Sequence, residues 1–120
     1  MGNISTFQQL EVWQEAHKLV LMVYKITKDF PNEEKFGLVS QMRRAAISMP
    51  ANIAEGFKRR GIQDKIRFYN TLEGSLEELK YFFVLSKDLG YILSKDDLMT
   101  QAEVVGRLLS GLIASTERRL

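Results

Sequence analysis

Four stretches of this chain repeat apolar residues at alternating steps of three and four, the period of one face of an α-helix, and no other feature restricts the fold as much. In the first stretch Val12, Ala16, Leu19, Val23, Ile26 and Phe30 form a stripe that Trp13, Val20 and Thr27 widen. Thr6 with Gln9 resembles a capping box and Pro31 closes the segment, which predicts a helix over about 6–29. The second helix is expected over 33–58, capped by Asn32, with Glu33 and Glu34 in its first turn, Val39, Met42, Ala46, Met49 and Ile53 on its stripe, and Gly61 as its stop. The third, over 62–89, carries Tyr69, Leu72, Leu76, Leu79 and Phe83, with Phe68, Phe82 and Leu89 beside them, and ends at Gly90. The fourth, over 95–118, opens on a capping-box-like Ser94 and Asp97 and carries Leu98, Ala102, Val105, Leu109, Leu112 and Thr116.

Pro50 interrupts the second stripe. A proline inside a helix removes one backbone hydrogen bond and collides with the carbonyl four residues earlier, here Ala46, at a cost of about 3 kcal/mol when nothing compensates. The stripe stays in phase across it, so the expectation is one helix kinked at Pro50, with Ser48 as a local partner for the freed group. Helices of about 24 to 28 residues, roughly 36 to 42 Å long, joined by connections of about three to five residues, must fold back on their neighbours. The predicted fold is all-α: a single domain over 1–120, built as an antiparallel up-down-up-down four-helix bundle.

Such a bundle needs about three inward residues in seven. This chain has more. Val20-Leu21-Met22-Val23 runs round the first helix, Leu10 and Tyr24 lie off its seam, Tyr81 and Phe82-Phe83 add to the third, and Val104 and Leu108 to the fourth. Leaving large apolar groups in water forgoes about 1.5 to 3 kcal/mol each, which predicts homo-oligomerisation. On the second helix Gln41, Ala45, Ser48, Asn52, Glu55 and Arg59 form a small, polar row. Ser48 and Asn52 there are either solvent-facing or bonded across a subunit boundary.

The chemistry of a catalyst is missing. The 120 residues include no cysteine, which excludes disulfides, thiolate metal sites and cysteine nucleophiles together. One histidine, His17, cannot supply the two Glu-x-x-His pairs of a di-iron bundle and reads as a rim residue. Gly56 to Gly61 lacks the Gly-Lys-Ser or Gly-Lys-Thr ending of a phosphate loop, and the adjacent carboxylates Glu77-Glu78 and Asp96-Asp97 diverge on a helix. No enzyme, metal or cofactor is expected. No apolar run approaches the roughly 18 residues of a membrane span. Met1-Gly2-Asn3-Ile4-Ser5-Thr6 lacks the parts of a signal peptide, so the expected location is the cytoplasm, without a membrane partner.

Charge offers the remaining signal. Seven cations (Arg43, Arg44, Lys58, Arg59, Arg60, Lys65 and Arg67) and two acids lie between Gln41 and Arg67, a local net of +5 against −3 for the rest. A bundle would place many of these at the corner where helices two and three meet, suited to a phosphate backbone.

Sequence motifs sharpen the expectation. Leu10-Glu11-Val12-Trp13-Gln14-Glu15-Ala16, then Phe30-Pro31, then Gln41 to Arg44 running into Ala45-Ala46-Ile47-Ser48-Met49-Pro50-Ala51-Asn52-Ile53-Ala54-Glu55-Gly56, and finally Gly74-Ser75-Leu76-Glu77-Glu78-Leu79 follow one another along nearly the whole chain. In this order they resemble the four-helix-bundle family of proteins encoded by intervening sequences in bacterial 23S rRNA genes. Asn52-Ile53-Ala54-Glu55-Gly56 is the most specific part. The resemblance implies a bacterial cytoplasmic bundle that assembles as a ring-like homopentamer, with Ser48, Pro50, Asn52, Glu55 and Gly56 serving helix kinking and subunit packing. The chain also resembles the accessory variability determinant of diversity-generating retroelements, a related basic pentamer that binds nucleic acid and a reverse transcriptase. The leading expectation is therefore a non-enzymatic homo-oligomer that binds structured RNA or another nucleic acid through its basic corner. The alternative is a protein-interaction scaffold whose basic residues are merely solvated.

Overall fold

The apolar rhythm materialises as four α-helices in the computed structural model, which describes residues 3–119. They are α1 (Glu11–Thr27), α2 (Leu38–Lys58), α3 (Ile62–Asp88) and α4 (Asp96–Glu117), with single 3-10 turns at Phe7–Gln9 and Asn32–Glu34. Met1 and Gly2, part of the segment read for a signal peptide, lie outside the described residues, and no strand occurs among those described. Each helix packs on its two neighbours in the cycle α1–α2–α3–α4, and the backbones of the diagonal pairs stay more than 8 Å apart between Cα atoms.

The directions follow from the contacts. Across the α2–α3 seam Gly56 faces Tyr69, Ser48 bonds Ser75 and Met42 meets Ser86, so rising numbers on one helix meet falling numbers on the other. Between α1 and α2 the Thr27–Arg43 bond, and a cleft that Phe7 lines together with Ala54 and Phe57, give the same antiparallel sense. Gln101 of α4 donates to the carbonyl of Glu15 on α1 at 2.9 Å, closing the square. The core between the helices is built from the predicted stripes: Ala16, Leu19, Val23, Met42, Ala46, Met49, Ile53, Leu72, Leu79, Phe83, Ala102 and Val105 have no exposed surface.

The helix ends differ from expectation where side chains found other partners. The Thr6–Gln9 capping box exists, but it closes the short Phe7–Gln9 turn, because Gln9 Oε1 accepts from the amides of Ser5 and Thr6 at 2.8 and 2.9 Å. Leu10 is then extended, and α1 starts only at Glu11. α1 ends at Thr27, four residues before Pro31, with the Thr27 hydroxyl donating to the carbonyl of Val23 at 2.8 Å. Asn32 does not cap α2. It opens a 3-10 turn, and α2 begins at Leu38 after Gly37, with Glu34 Oε1 accepting from the Leu38 amide at 3.3 Å. Ser94 accepts from the Asp96 amide without forming a box with Asp97. α3 does stop at Gly90, whose φ of 78° suits glycine, and the bonds Tyr91 to Ser86 and Gly90 to Lys87 complete a Schellman turn.

α2 is one unbroken helix through Pro50. Ser48 is not the partner of the Ala46 carbonyl: its hydroxyl lies 2.8 Å from that of Ser75, and Asn52 donates to the Ser48 carbonyl and hydroxyl at 2.7 and 3.0 Å. The polar row of α2 thus faces α3 of the same chain at Ser48 and Asn52. Much of the apparent apolar surplus is also hidden within the chain, since Val20, Val23, Phe82 and Phe83 are buried and Met22, Tyr24 and Leu108 pack against the core.

The tightest point of the seam is Gly56, where an added Cβ would sit 2.6 Å from Cε1 of buried Tyr69 and 3.2 Å from Cβ of Phe68. Gly56→Ala should therefore lower unfolding free energy by about 1 to 3 kcal/mol, read as an earlier urea midpoint, whereas Gly74→Ala, with open space around it, should not destabilise.

Candidate nucleic-acid interface

Antiparallel packing brings the end of α2, the start of α3 and the end of α4 to one end of the bundle. The turn between α2 and α3 is held by Lys65, whose Nζ donates to the carbonyls of Phe57 and Gly56 at 2.7 and 3.2 Å and lies 5.7 Å from the centre of the Phe57 ring. Lys65 thus closes the C-terminus of α2, where a cation also suits the helix dipole. Burial first, and the charge of Arg119 second, hold the Lys65 ammonium below its ordinary pKa.

Arg59 and Arg67 both lie over the ring of Phe68, their guanidinium carbons 4.8 and 5.1 Å from its centre. Asp64 accepts from Arg67 Nη2 at 2.6 Å and stands 3.9 Å from Arg59 Nε, while Glu55 accepts from Arg59 Nη2 at 3.1 Å. Exposed pairs of this kind add little stability. Their effect here is to orient two guanidinium groups around an aromatic ring. Lys58 and Arg60 are exposed and have no ion-pair partner among the described residues, which leaves them free to meet an anion.

The other two predicted cations stand elsewhere. Arg43 donates to Thr27 Oγ1 at 3.0 Å and covers the Tyr24 ring at 4.4 Å, stitching α2 to α1. Arg44 is exposed and borders a groove between α2 and α3 with Gln41, Ser48, Ser75 and Glu78. Both are about 21 Å or more from Lys58 along the helix. Sequence reasoning missed Arg119, which is distant in the chain but close enough to influence Lys65 and Tyr69. The available signal was parity: in an up-down path, the C-terminus of α4 returns to the end that holds the α2–α3 turn.

The remaining residues singled out in the sequence have structural contacts. Glu55 pairs with Arg59, Gly56 admits Tyr69, Asn52 braces the α2 backbone, and Pro50 is half-buried. His17 is exposed and stacks on Trp13, with ring centres 5.0 Å apart. Among the described residues, no three metal-ligating side chains gather, and no helix is long and apolar enough to cross a membrane.

Fold and site together define an all-helical antiparallel bundle with a cationic end. A family model described as 23S rRNA-intervening sequence protein matches residues 8–111, and the chain belongs to that family. No curated protein matches it.

Tyr69 and Tyr91 connect this geometry to pH. Burial raises the Tyr69 phenol, although Arg119 opposes the shift, and a hydrogen bond to Glu34 leads the causes that raise Tyr91. Above pH 10 or so the unfolded chain releases these phenol protons before the folded one does, so stability falls as pH rises through that range; lowered Lys65 acts with the opposite sign. Tyr69→Phe should flatten the alkaline decline, measured as urea midpoint against pH from about 8 to 11.

Proposed function

We propose that this chain is a non-enzymatic, cytoplasmic helical bundle that assembles as a homo-oligomer, a pentamer in line with the resemblance of its 45–56 block, and grips structured RNA or another nucleic acid with its cationic end. The observation that supports this reading is the meeting of exposed Lys58 and Arg60 with the ordered pair Arg59 and Arg67, and with Arg119 from the far end of the chain. Flexible cations beside oriented guanidinium groups suit phosphate oxygens, which are contacted without regard to base sequence. An oligomer repeats the cationic end and multiplies its avidity without new kinds of contact.

One observation favours the scaffold alternative: Glu55 and Asp64 already neutralise part of the charge on Arg59 and Arg67. In that reading the bundle recruits a protein, such as a reverse transcriptase, and its cations serve solubility.

Titration of a structured RNA at about 50 and 200 mM salt separates the two. Nucleic-acid binding predicts an affinity that falls steeply with salt. It also predicts that Lys58→Glu with Arg60→Glu lowers the magnitude of the log–log slope by about 2. Arg43→Gln should leave RNA affinity unchanged while weakening the fold through the lost Thr27 and Tyr24 contacts. Absence of salt-dependent binding by the native protein selects the scaffold.

A further inference from the structure

Four large apolar side chains on the helices remain in water: Leu21 on α1, Ile47 on α2, and Tyr81 and Val84 on α3. They form two unlike patches. Ile47 is four residues beyond Arg43, and Leu21 is three before Tyr24, the ring that Arg43 covers. Spacings of three and four keep a helical row, so Leu21 and Ile47 adjoin on the α1–α2 face. Tyr81 and Val84 share the outer row of α3. Because α1 and α3 are diagonal in the bundle, their outward rows face away from each other.

Their charged neighbours are complementary. Continuing the Leu21 row gives Lys25 and Lys28, both exposed; the Tyr81–Val84 row ends at Asp88, also exposed, while its Glu77 is held at 3.0 Å by Lys80 of the same helix. Internal contacts also set the patches at equal height. The Thr27–Arg43 and Met42–Ser86 contacts place the end of α1 level with residue 86 or so of α3, which sets Leu21 level with Tyr81 and Lys28 with Asp88. Parallel copies therefore match Leu21 to Tyr81 and Lys28 to Asp88 without sliding along the bundle axis. A side face of 46 by 24 Å is large enough for the roughly 800 Å² per partner of a specific interface.

We infer that the α1–α2 face of one copy, around Leu21 and Ile47, docks on the outer α3 face of the next, around Tyr81 and Val84. The inference rests on the homo-oligomer reading and adds which surfaces meet. Contact between two different faces is heterologous, and with no rise along the axis it closes into a ring where the rotation from one copy to the next divides a full turn. Every cationic end then lies on the same side of the ring.

The test uses light scattering on the full chain. Leu21→Glu with Ile47→Glu disables one face, and Tyr81→Glu with Val84→Glu the other. Each variant alone should be monomeric, and an equal mixture should stop at a dimer of one copy of each, since only one intact pair of faces remains. Persistence of the native oligomer in either variant overturns the assignment of faces while leaving oligomerisation intact; a monomeric native protein overturns oligomerisation itself. Should a face variant unfold, Lys28→Glu and Asp88→Lys provide the second measurement. Either reversal alone should weaken assembly several-fold at low salt and the two together in one chain should restore it, and failure of that restoration overturns the pairing.

Discussion

The close approach of α2 to α3 underlies the rest of this architecture. Gly56 lets the backbone of α2 reach Tyr69, and Ser48 and Ser75 meet 2.8 Å apart further along the seam. Small residues bring the helices together there, and Lys65 then closes the turn by donating to the last carbonyls of α2. If that seam were wider, Arg59 and Arg67 would not share the Phe68 ring. The cationic end is thus a consequence of how α2 and α3 pack.

Charge in the 41–67 region separates by what each group touches. Arg43 and Lys65 hold elements of the fold together, Arg59 and Arg67 are ordered by acids and an aromatic ring, and Lys58 and Arg60 have no ion-pair partner among the described residues. A count of lysine and arginine merges these roles. Packing against an aromatic face or a helix terminus fixes a cation, whereas an exposed ammonium or guanidinium keeps its freedom to replace a phosphate's counterions. The family to which the chain belongs gives its fold a lineage, and the separation of cations gives the proposed grip a physical basis.

Assembly and polyanion binding would reinforce one another in the proposed ring. Gathering like-charged ends on one side raises their mutual repulsion, and a bound nucleic acid relieves it while engaging several copies together. The opposite end of each bundle is built differently, with Tyr91 bonded to Glu34 and packed on Phe30 to secure the two loops there. The two ends therefore offer a partner quite different chemistry.

The stripes led by Leu19, Met42, Leu72 and Val105 were legible because a buried helix face must repeat every three or four residues, and the stop at Gly90 because a left-handed residue favours glycine. Helix starts were less legible. Gln9 and Glu34 each had several nearby amides to serve, and a linear pattern does not rank such competing bonds. Periodicity and helix length alone determined the number of helices and their interior faces. Tertiary structure alone decided that Ser48 and Asn52 turn toward α3, that most of the surplus apolar groups pack inside one chain, and that Arg119 joins the cationic end, since each depends on groups far apart in sequence meeting across a seam whose register the local pattern does not encode.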